Sequence, residues 1–364
     1  MKNGPLAIAM VSMMGWQGTA LAQTELEQRI QSMEQQMRYL EGRVQSSDAG
    51  AKWWRGVSMS GLVEVEAVST NTDGADTSDI AVATVELGLE AELSDWARAN
   101  VVLLYEEDAT ALDVDAATLT FGNTEAMPFY LTVGRTVVPF GRFVSHLVSD
   151  PLTLELGETF ESTALVGFER GGFYGNAFVF NGDTDTGSDD TIDNGGLNLG
   201  YALEGETGFD ISLSYLSDLS DADAITDAIG NTVVDDVPAW NAYLAFTHGP
   251  FTALGEYLAA SDAFATGELE FRGRGAEPSA WNVELGYAFE LASKESTFAI
   301  GYQGTDEALD LGLPEQRLLV GLSVALAEYT SVRFEWARDE DYAVADGGTG
   351  EDSDTFTVQV ALEF

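Results

Sequence analysis

Glutamates recur at every second position in several stretches of this sequence. Glu64 and Glu66 form one pair, Glu86, Glu90 and Glu92 share a parity further on, and Glu256, Glu284, Glu290, Glu335 and Glu363 each alternate with apolar neighbours. A spacing of two places such carboxylates on one face of a strand and the apolar residues on the other. The chemistry open to that face is electrostatic: it accepts hydrogen bonds, attracts cations and repels anions. Glu64, Glu86, Glu90, Glu284 and Glu335 are therefore candidate lining for a water-filled passage, the plainer alternative being a merely solvated wall. Arg98, Arg317 and Arg333 share the inner parity. They either set a transverse field across a constriction or pair structurally with nearby acids. Arg135 has the parity of Leu131 and Val133, which leaves its face open.

Other chemistries are poorly equipped. The chain holds two histidines and no cysteine. His146 has Ser145, Ser149 and Asp150 beside it, but a nucleophile and its base are brought together by geometry and not by adjacency. The expectation is that the protein is not an enzyme. With 61 acidic residues against 16 basic ones, a formal charge of −45, it lacks the Lys/Arg clusters that nucleic acid requires. Acids crowd two stretches, Asp183, Asp185, Asp189, Asp190 and Asp193 around Gly187, and Glu340 to Asp354. Oxygen-rich loops of this kind are candidates for Ca²⁺, with Asp183, Asp185 and Asp189 the first ligands to consider. The first stretch lacks the closing Glu of a calcium loop, and plain solvated charge is the alternative. No other cofactor is expected.

The elements that must carry these residues are strands. From residue 56 onward the period is two, clearest where Phe356, Val358, Val360, Leu362 and Phe364 alternate with Thr355, Thr357, Gln359 and Glu363. Sixteen such segments can be drawn, at 56–69, 80–93, 97–107, 114–123, 129–136, 161–169, 172–181, 196–204, 208–217, 239–247, 251–261, 280–290, 297–304, 316–326, 330–338 and 355–364. Many are about ten residues long, the length a tilted membrane strand needs. Their connections alternate, seven short and eight long, the long ones near 70–79, 108–113, 137–160, 182–195, 218–238, 262–279, 305–315 and 339–354. The fold class expected is all-β: a transmembrane antiparallel barrel of about sixteen strands with both ends on the periplasmic side. The lipid of an outer membrane then faces the apolar positions. Trp240, Trp281 and Trp336 lie near strand ends, where interfacial aromatics belong. The stretch 137–160 is too apolar for an exposed loop and should fold into the barrel, putting Arg142, Asp150, Glu155 and Glu158 at its narrowest part.

Ahead of the barrel, 1–22 reads as a signal peptide ending in Ala20-Leu21-Ala22. In 23–50, Leu26, Ile30, Met33, Met37, Leu40 and Val44 form a heptad seam, read as a short periplasmic coiled coil or, alternatively, as one helix packed on the barrel mouth. The seam and the porin-like architecture together lead to an expected homotrimer. Residues 51–364 make up the barrel, beginning with the interfacial pair Trp53 and Trp54.

The run Gly134-Arg135 with Pro139-Phe140-Gly141, followed by Asp150-Pro151-Leu152-Thr153-Leu154-Glu155-Leu156-Gly157-Glu158, resembles the LbtU-type siderophore porins. Ser60 to Glu66, Leu103 to Asp108 and Gly172-Phe173-Tyr174-Gly175 extend the likeness, which is densest between about 56 and 200. The resemblance implies an outer-membrane barrel with a periplasmic helical prefix and a role in ferric-siderophore uptake. It transfers no ligand residues. The expected function is passage of small solutes, ferric siderophores among them, through the outer membrane of a Gram-negative bacterium. The alternative is a structural or adhesive barrel whose acidic loops bind partners or ions.

Overall fold

A computed structural model of the chain describes residues 56–364, apart from 73, 74, 108 and 188–190. The expected signal segment, the seam from Leu26 to Val44, Trp53, Trp54 and Asp189 lie outside the described residues.

Sixteen strands close into one antiparallel barrel. They are β1 (Val57–Thr72), β2 (Ala75–Ser94), β3 (Ala97–Tyr105), β4 (Asp113–Gly122), β5 (Phe129–Val137), β6 (Phe160–Arg170), β7 (Phe173–Phe180), β8 (Asn194–Leu203), β9 (Thr207–Leu216), β10 (Ala239–His248), β11 (Phe251–Ala260), β14 (Ser279–Leu291), β15 (Lys294–Asp306), β16 (Gln316–Ala327), β17 (Thr330–Glu340) and β18 (Asp352–Glu363). A two-stranded hairpin, β12 (Glu270–Phe271) and β13 (Arg274–Gly275), lies in the connection between β11 and β14. Sequential strands pair, and β18 returns to β1 from Leu62↔Glu363 to Thr72↔Ser353. Two bonds between Gly61 and Phe364 backbone groups, 2.8 and 2.9 Å, extend that seam. Closure matters because an open edge would leave a row of N–H and C=O groups without partners.

The burial pattern is inverted relative to a soluble domain. In β9, Ile211 and Leu213 are 49% and 51% exposed, whereas Ser212 and Ser214 are 4% and 0% exposed. Apolar side chains that face outward on every side require a hydrocarbon surrounding, and the polar residues turn to the lumen. Aromatics gather at both rims. Tyr215, Trp240, Tyr257, Trp281 and Tyr302 run along the long-loop end, with Tyr215–Trp240 and Trp281–Tyr302 rings 4.9 and 5.0 Å apart. Phe129, Phe168, Phe173, Tyr201, Phe251 and Tyr287 run along the other.

All sixteen expected segments are strands, and the seven short connections share one end. The barrel's first and last residues lie at that same end. One connection differs. In place of a long loop at 70–79, β1 and β2 continue in register to Thr72↔Ala75, as a ribbon standing beyond the barrel. Its Ser, Thr, Asn and Asp side chains carry no apolar alternation and so resemble loop. The backbone groups of β1 there are nevertheless satisfied by β2 and by β18, and Thr is a good strand former.

The long connections do not stand free in solvent. Residues 138–159, 217–238, 261–278 and 341–351 fold toward one another and build an apolar core inside the mouth, around Phe140, Leu152, Leu156, Leu219, Ile225, Leu258, Phe264 and Tyr342. Two short helices belong to it, α1 (Leu152–Gly157) and α2 (Asp223–Ile229).

Gly134 has φ +131°, and a Cβ there would stand 2.0 Å from the Ala117 carbonyl oxygen of β4. Gly134→Ala should therefore destabilise the β4–β5 pairing by about 1–3 kcal/mol. The gel shift of folded against heat-unfolded protein in detergent, followed over a temperature series, measures this. Unfolding at the wild-type temperature would contradict it.

Candidate functional site

The segment between β5 and β6 enters the lumen. Its apolar residues explain why: Val138, Phe140, Phe143, Leu147, Val148, Leu152, Leu154 and Leu156 are all buried. Gly141 permits the turn inward, because a Cβ there would meet the Phe143 ring at 2.1 Å. Leu147 seats in a notch left by Gly301 of β15 and Gly321 of β16, where added Cβ atoms would lie 2.7 and 2.6 Å from it.

Once inside, the loop has backbone N–H groups with no strand to pair with, and buried donors must find acceptors. Three glutamates from the wall supply them at a repeat of three residues. Glu256 of β11 accepts from the N–H of Arg142 (2.7 Å) and Phe143 (2.9 Å), and from Asn241 (3.0 Å). Glu284 of β14 accepts from the N–H of His146 (2.8 Å), the Ser145 hydroxyl (2.7 Å) and the His146 ring at Nδ1 (2.7 Å). Glu335 of β17 accepts from the N–H of Val148 (2.5 Å) and Ser149 (3.0 Å), and from the Ser149 hydroxyl (2.5 Å). Gln303 of β15 continues the series by accepting from the Leu152 N–H (3.0 Å). Hydrogen bonds to an ionised carboxylate are shorter and stronger than neutral ones. The loop is thus fastened along the β11–β17 wall, and the free lumen lies against β18 and β1–β5.

The far side of the loop is acidic. Asp150 and Glu158 are buried, and among the described residues no donor is hydrogen-bonded to either carboxylate. Burial, then the charges of Glu155 and Glu158, hold Asp150 well above the usual carboxylate range. Burial, then Asp223 and Asp115, does the same to Glu158. Asp223 opens α2 and accepts from the Phe160 N–H at 3.3 Å, and burial raises it to about 7 against the opposing pull of Arg135. The nearby cation Arg317 is spoken for, with two hydrogen bonds of 2.7 and 3.0 Å to Asp339. Arg135 is exposed, keeps the register parity of Leu131 and Val133 opposite Ser162, and lies near enough to Asp115 and Asp223 for its charge to act on both.

The residues singled out from sequence fall into three groups. Asp150, Glu155 and Glu158 do come together. Glu64, Glu86, Glu90 and Arg98 belong to β1–β3, in the wall left open, and Arg333 of β17 stands 4.0 Å from Glu64. Glu284 and Glu335 are on the lumen face but covered, at 0% and 2% exposure, so they hold the loop and do not line the passage. Arg142 also departs from expectation. It turns from the acids, pairs with Asp210 of β9 and sits 5.3 and 5.6 Å from the ring centres of Tyr174 and Tyr243. A desolvated guanidinium favours a carboxylate and two π faces over an open position. Glu256 shared the visible parity, yet its role was hidden because its partners are amides 113 and 114 residues away. Ser145 and His146 bond the same Glu284 carboxylate. Asp183 and Asp185 belong to a segment that pairs with 231–233. Among the described residues no group of three or more His, Cys, Asp or Glu is arranged to hold a metal ion.

No family model matches the chain. A UPF0422 protein of Legionella pneumophila strain Lens is 27% identical over 358 residues, covering 85% of this chain and 66% of the relative, so the chain spans just under two-thirds of that protein's length. A UPF0422 protein of Coxiella burnetii is 28% identical over 282 residues, covering 74% of this chain and 61% of the relative. Among solved structures, the outer membrane channel DcaP of Acinetobacter baumannii superposes with a TM-score of 0.58 at 14% identity, covering 87% of this chain and all of that one. The anion-selective porin of Comamonas acidovorans gives 0.56 at 14% identity, with 85% and 99% covered. OprB of Pseudomonas putida gives 0.60 at 9% identity, with 85% and 94% covered. The class defined by the fold is therefore the sixteen-stranded barrel of outer-membrane porins.

Replacing Glu256, Glu284 and Glu335 together by Ala removes acceptors worth about 1.5–3 kcal/mol each. The barrel should still assemble while residues 138–159 become sensitive to protease. Limited proteolysis of the purified protein measures it; a loop as resistant as wild type would show that apolar packing alone holds it.

Proposed function

We propose that this chain is an outer-membrane channel for small hydrophilic solutes, with a cation-preferring constriction formed by the inward loop. One observation carries the reading: an apolar loop is fastened across the lumen with its unpaired acids on the open side. An ordinary surface loop needs no such fastening, and a plug would fill the lumen with apolar side chains on both faces. Low-dielectric walls around Asp150, Glu155 and Glu158 strengthen their field on a passing ion. The barrel's inverted burial and its likeness to porins support the membrane location. The gathering of short turns and both barrel ends at one rim supports a periplasmic placement of that rim.

Narrower readings stand on less. Ferric-siderophore uptake rests on the resemblance in the loop motif, and the acidic constriction favours neutral or cationic chelates over anionic ones. A homotrimer rests on the heptad seam and on porin analogy.

Purified protein in planar bilayers should form stable channels whose reversal potential under a salt gradient is that of a cation-selective pore. Absence of channels would favour the structural barrel reading, and anion selectivity would show that the loop acids do not govern permeation.

Acidic pH should weaken the preference. Burial raises Asp223 to about 7, so its carboxylate takes up a proton as pH falls through neutrality and loses its charge, and burial raises Asp150 and Glu158 in the same direction. Selectivity measured at about pH 8 and about pH 6 should decline toward the lower value. An unchanged ratio would place the selecting charges elsewhere.

A further inference from the structure

The ribbon of β1 and β2 beyond the barrel contains one strand that is paired on a single side. β1 is bonded there on both sides, by β2 and by β18. The pairing of β2 with β3 goes no further up than Val85↔Tyr105. The last contacts on that side are at Val82, whose C=O accepts from the Glu107 N–H (3.1 Å) and whose N–H donates to the Glu107 carboxylate (2.8 Å). These two bonds fix the phase of the strand. In an antiparallel ladder both backbone groups of every second residue point to the same side. Asp76, Ser78 and Ile80 therefore present their N–H and C=O groups along the open edge, as Val82 does. The Ile80 N–H is held by the Asp79 carboxylate at 2.8 Å, and among the described residues the other groups of this row have no protein partner. Residues 75–80 are all exposed, Ile80 at 73%. Hydrocarbon would exclude such an edge, whereas beyond the rim water solvates it. It remains a template for one more strand.

Charge sets which strand the edge accepts. Asp76 and Asp79 stand on it, Glu107 closes its lower end, and no Lys or Arg occurs from 56 to 97. Acids on an edge guard it against pairing with a like-charged strand. A second copy brings the same acids and a chain charge of −45, so two such edges repel each other. A segment bearing Lys or Arg meets the opposite balance: unlike charges across a strand pair stabilise it, and the acidic rim steers an approaching cation. Asp76, Ser78 and Ile80 share one face of β2, opposite Asn71, Ser69 and Ala67, and Asp79 lies on the other face. The complementary strand thus carries a cation opposite Asp76, a second opposite Asp79 on the other face, and an apolar residue over Ile80. We propose that the β2 edge at 75–81 takes up an extended, Lys- or Arg-bearing peptide segment as an added antiparallel strand. The backbone groups of the row supply affinity and the acids supply selectivity. The surface uses no residue of the passage, so it stands or falls apart from the channel reading.

The experiment titrates a fluorescent heptapeptide, Thr-Val-Lys-Thr-Thr-Lys-Thr, with the detergent-purified, folded chain and reads anisotropy. Laid antiparallel, the peptide places Val against Ile80 and its two Lys against Asp79 and Asp76. Wild type should bind it saturably, and more weakly as salt rises. The same peptide methylated on every second backbone nitrogen, that of Val included, keeps its charge and loses the donors that face β2. It should bind about tenfold or more weakly, the loss expected for two or more hydrogen bonds. Ser78→Pro should weaken the unmethylated peptide to a similar degree, because it removes an edge N–H that β1 does not use. Asp76→Asn with Asp79→Asn should lower affinity and flatten its salt dependence. The heat-dependent gel shift reports the folding of each variant, and the methylated peptide decides the question on wild type alone should Ser78→Pro not fold. No saturable binding by wild type, equal binding of the methylated peptide, full binding by folded Ser78→Pro, or equal binding of a peptide with Glu in place of Lys would each overturn the proposal. Self-association of wild type that Ser78→Pro abolishes would give the edge to a second copy and overturn it as well.

Discussion

The structure depends on carboxylates in the barrel wall accepting backbone N–H groups of a loop that has left the surface. A chain folded into a lumen has no strand to pair with, and every buried amide left without an acceptor would cost free energy comparable to a lost hydrogen bond. Glu256, Glu284 and Glu335 remove that cost at three successive points along the loop. The same bonds give the glutamates what they need, since a buried carboxylate is tolerated only with donors around it. Neither partner would be stable in this place without the other.

From that fastening follows the division of the lumen. The wall from β11 to β17 is covered, its polar residues consumed in holding the loop. The wall from β18 through β5 remains open, with Glu64, Glu86 and Glu90 on it. On the loop's free side Asp150 and Glu158 have no hydrogen-bond donor among the described residues, and they and Glu155 raise one another's proton affinity. Positive charge inside the barrel is mostly neutralised locally, Arg142 by Asp210 and Arg317 by Asp339. The field in the passage is therefore set by position and pairing more than by the count of charged residues.

The outer mouth obeys the same rule in apolar form. Long connections with few apolar residues would remain in solvent, but here 217–238 and 261–278 contribute Leu219, Ile225, Phe264 and Phe271 to a core shared with the inward loop. Exposed ion pairs, Arg272 with Asp346 and Arg274 with Glu307, join neighbouring connections above it. Such pairs are weak singly, so the apolar contacts carry the packing.

By itself the sequence determined the barrel. Period-two alternation, sixteen segments and the alternation of short and long connections are local properties, and the lipid face tolerates no error in them, so each is written plainly in the residues. It also determined that the loop of Pro139, Phe140 and Leu152 goes inward, because its apolar content has no other place. Only the tertiary structure decided what each lumen acid does. Glu64, Glu284 and Glu335 share one parity and one chemistry in sequence. Which of them is covered depends on where the loop crosses the wall, and its partners lie more than a hundred residues distant in sequence. Arg142 was drawn from the constriction by Asp210, Tyr174 and Tyr243, three residues on three other strands. The ribbon beyond the barrel at β1 and β2 was likewise invisible, because its hydrogen bonds are made by backbone, which has no side-chain signature. Alternation reports which side of a strand is wet; it carries no information on which wet groups will meet.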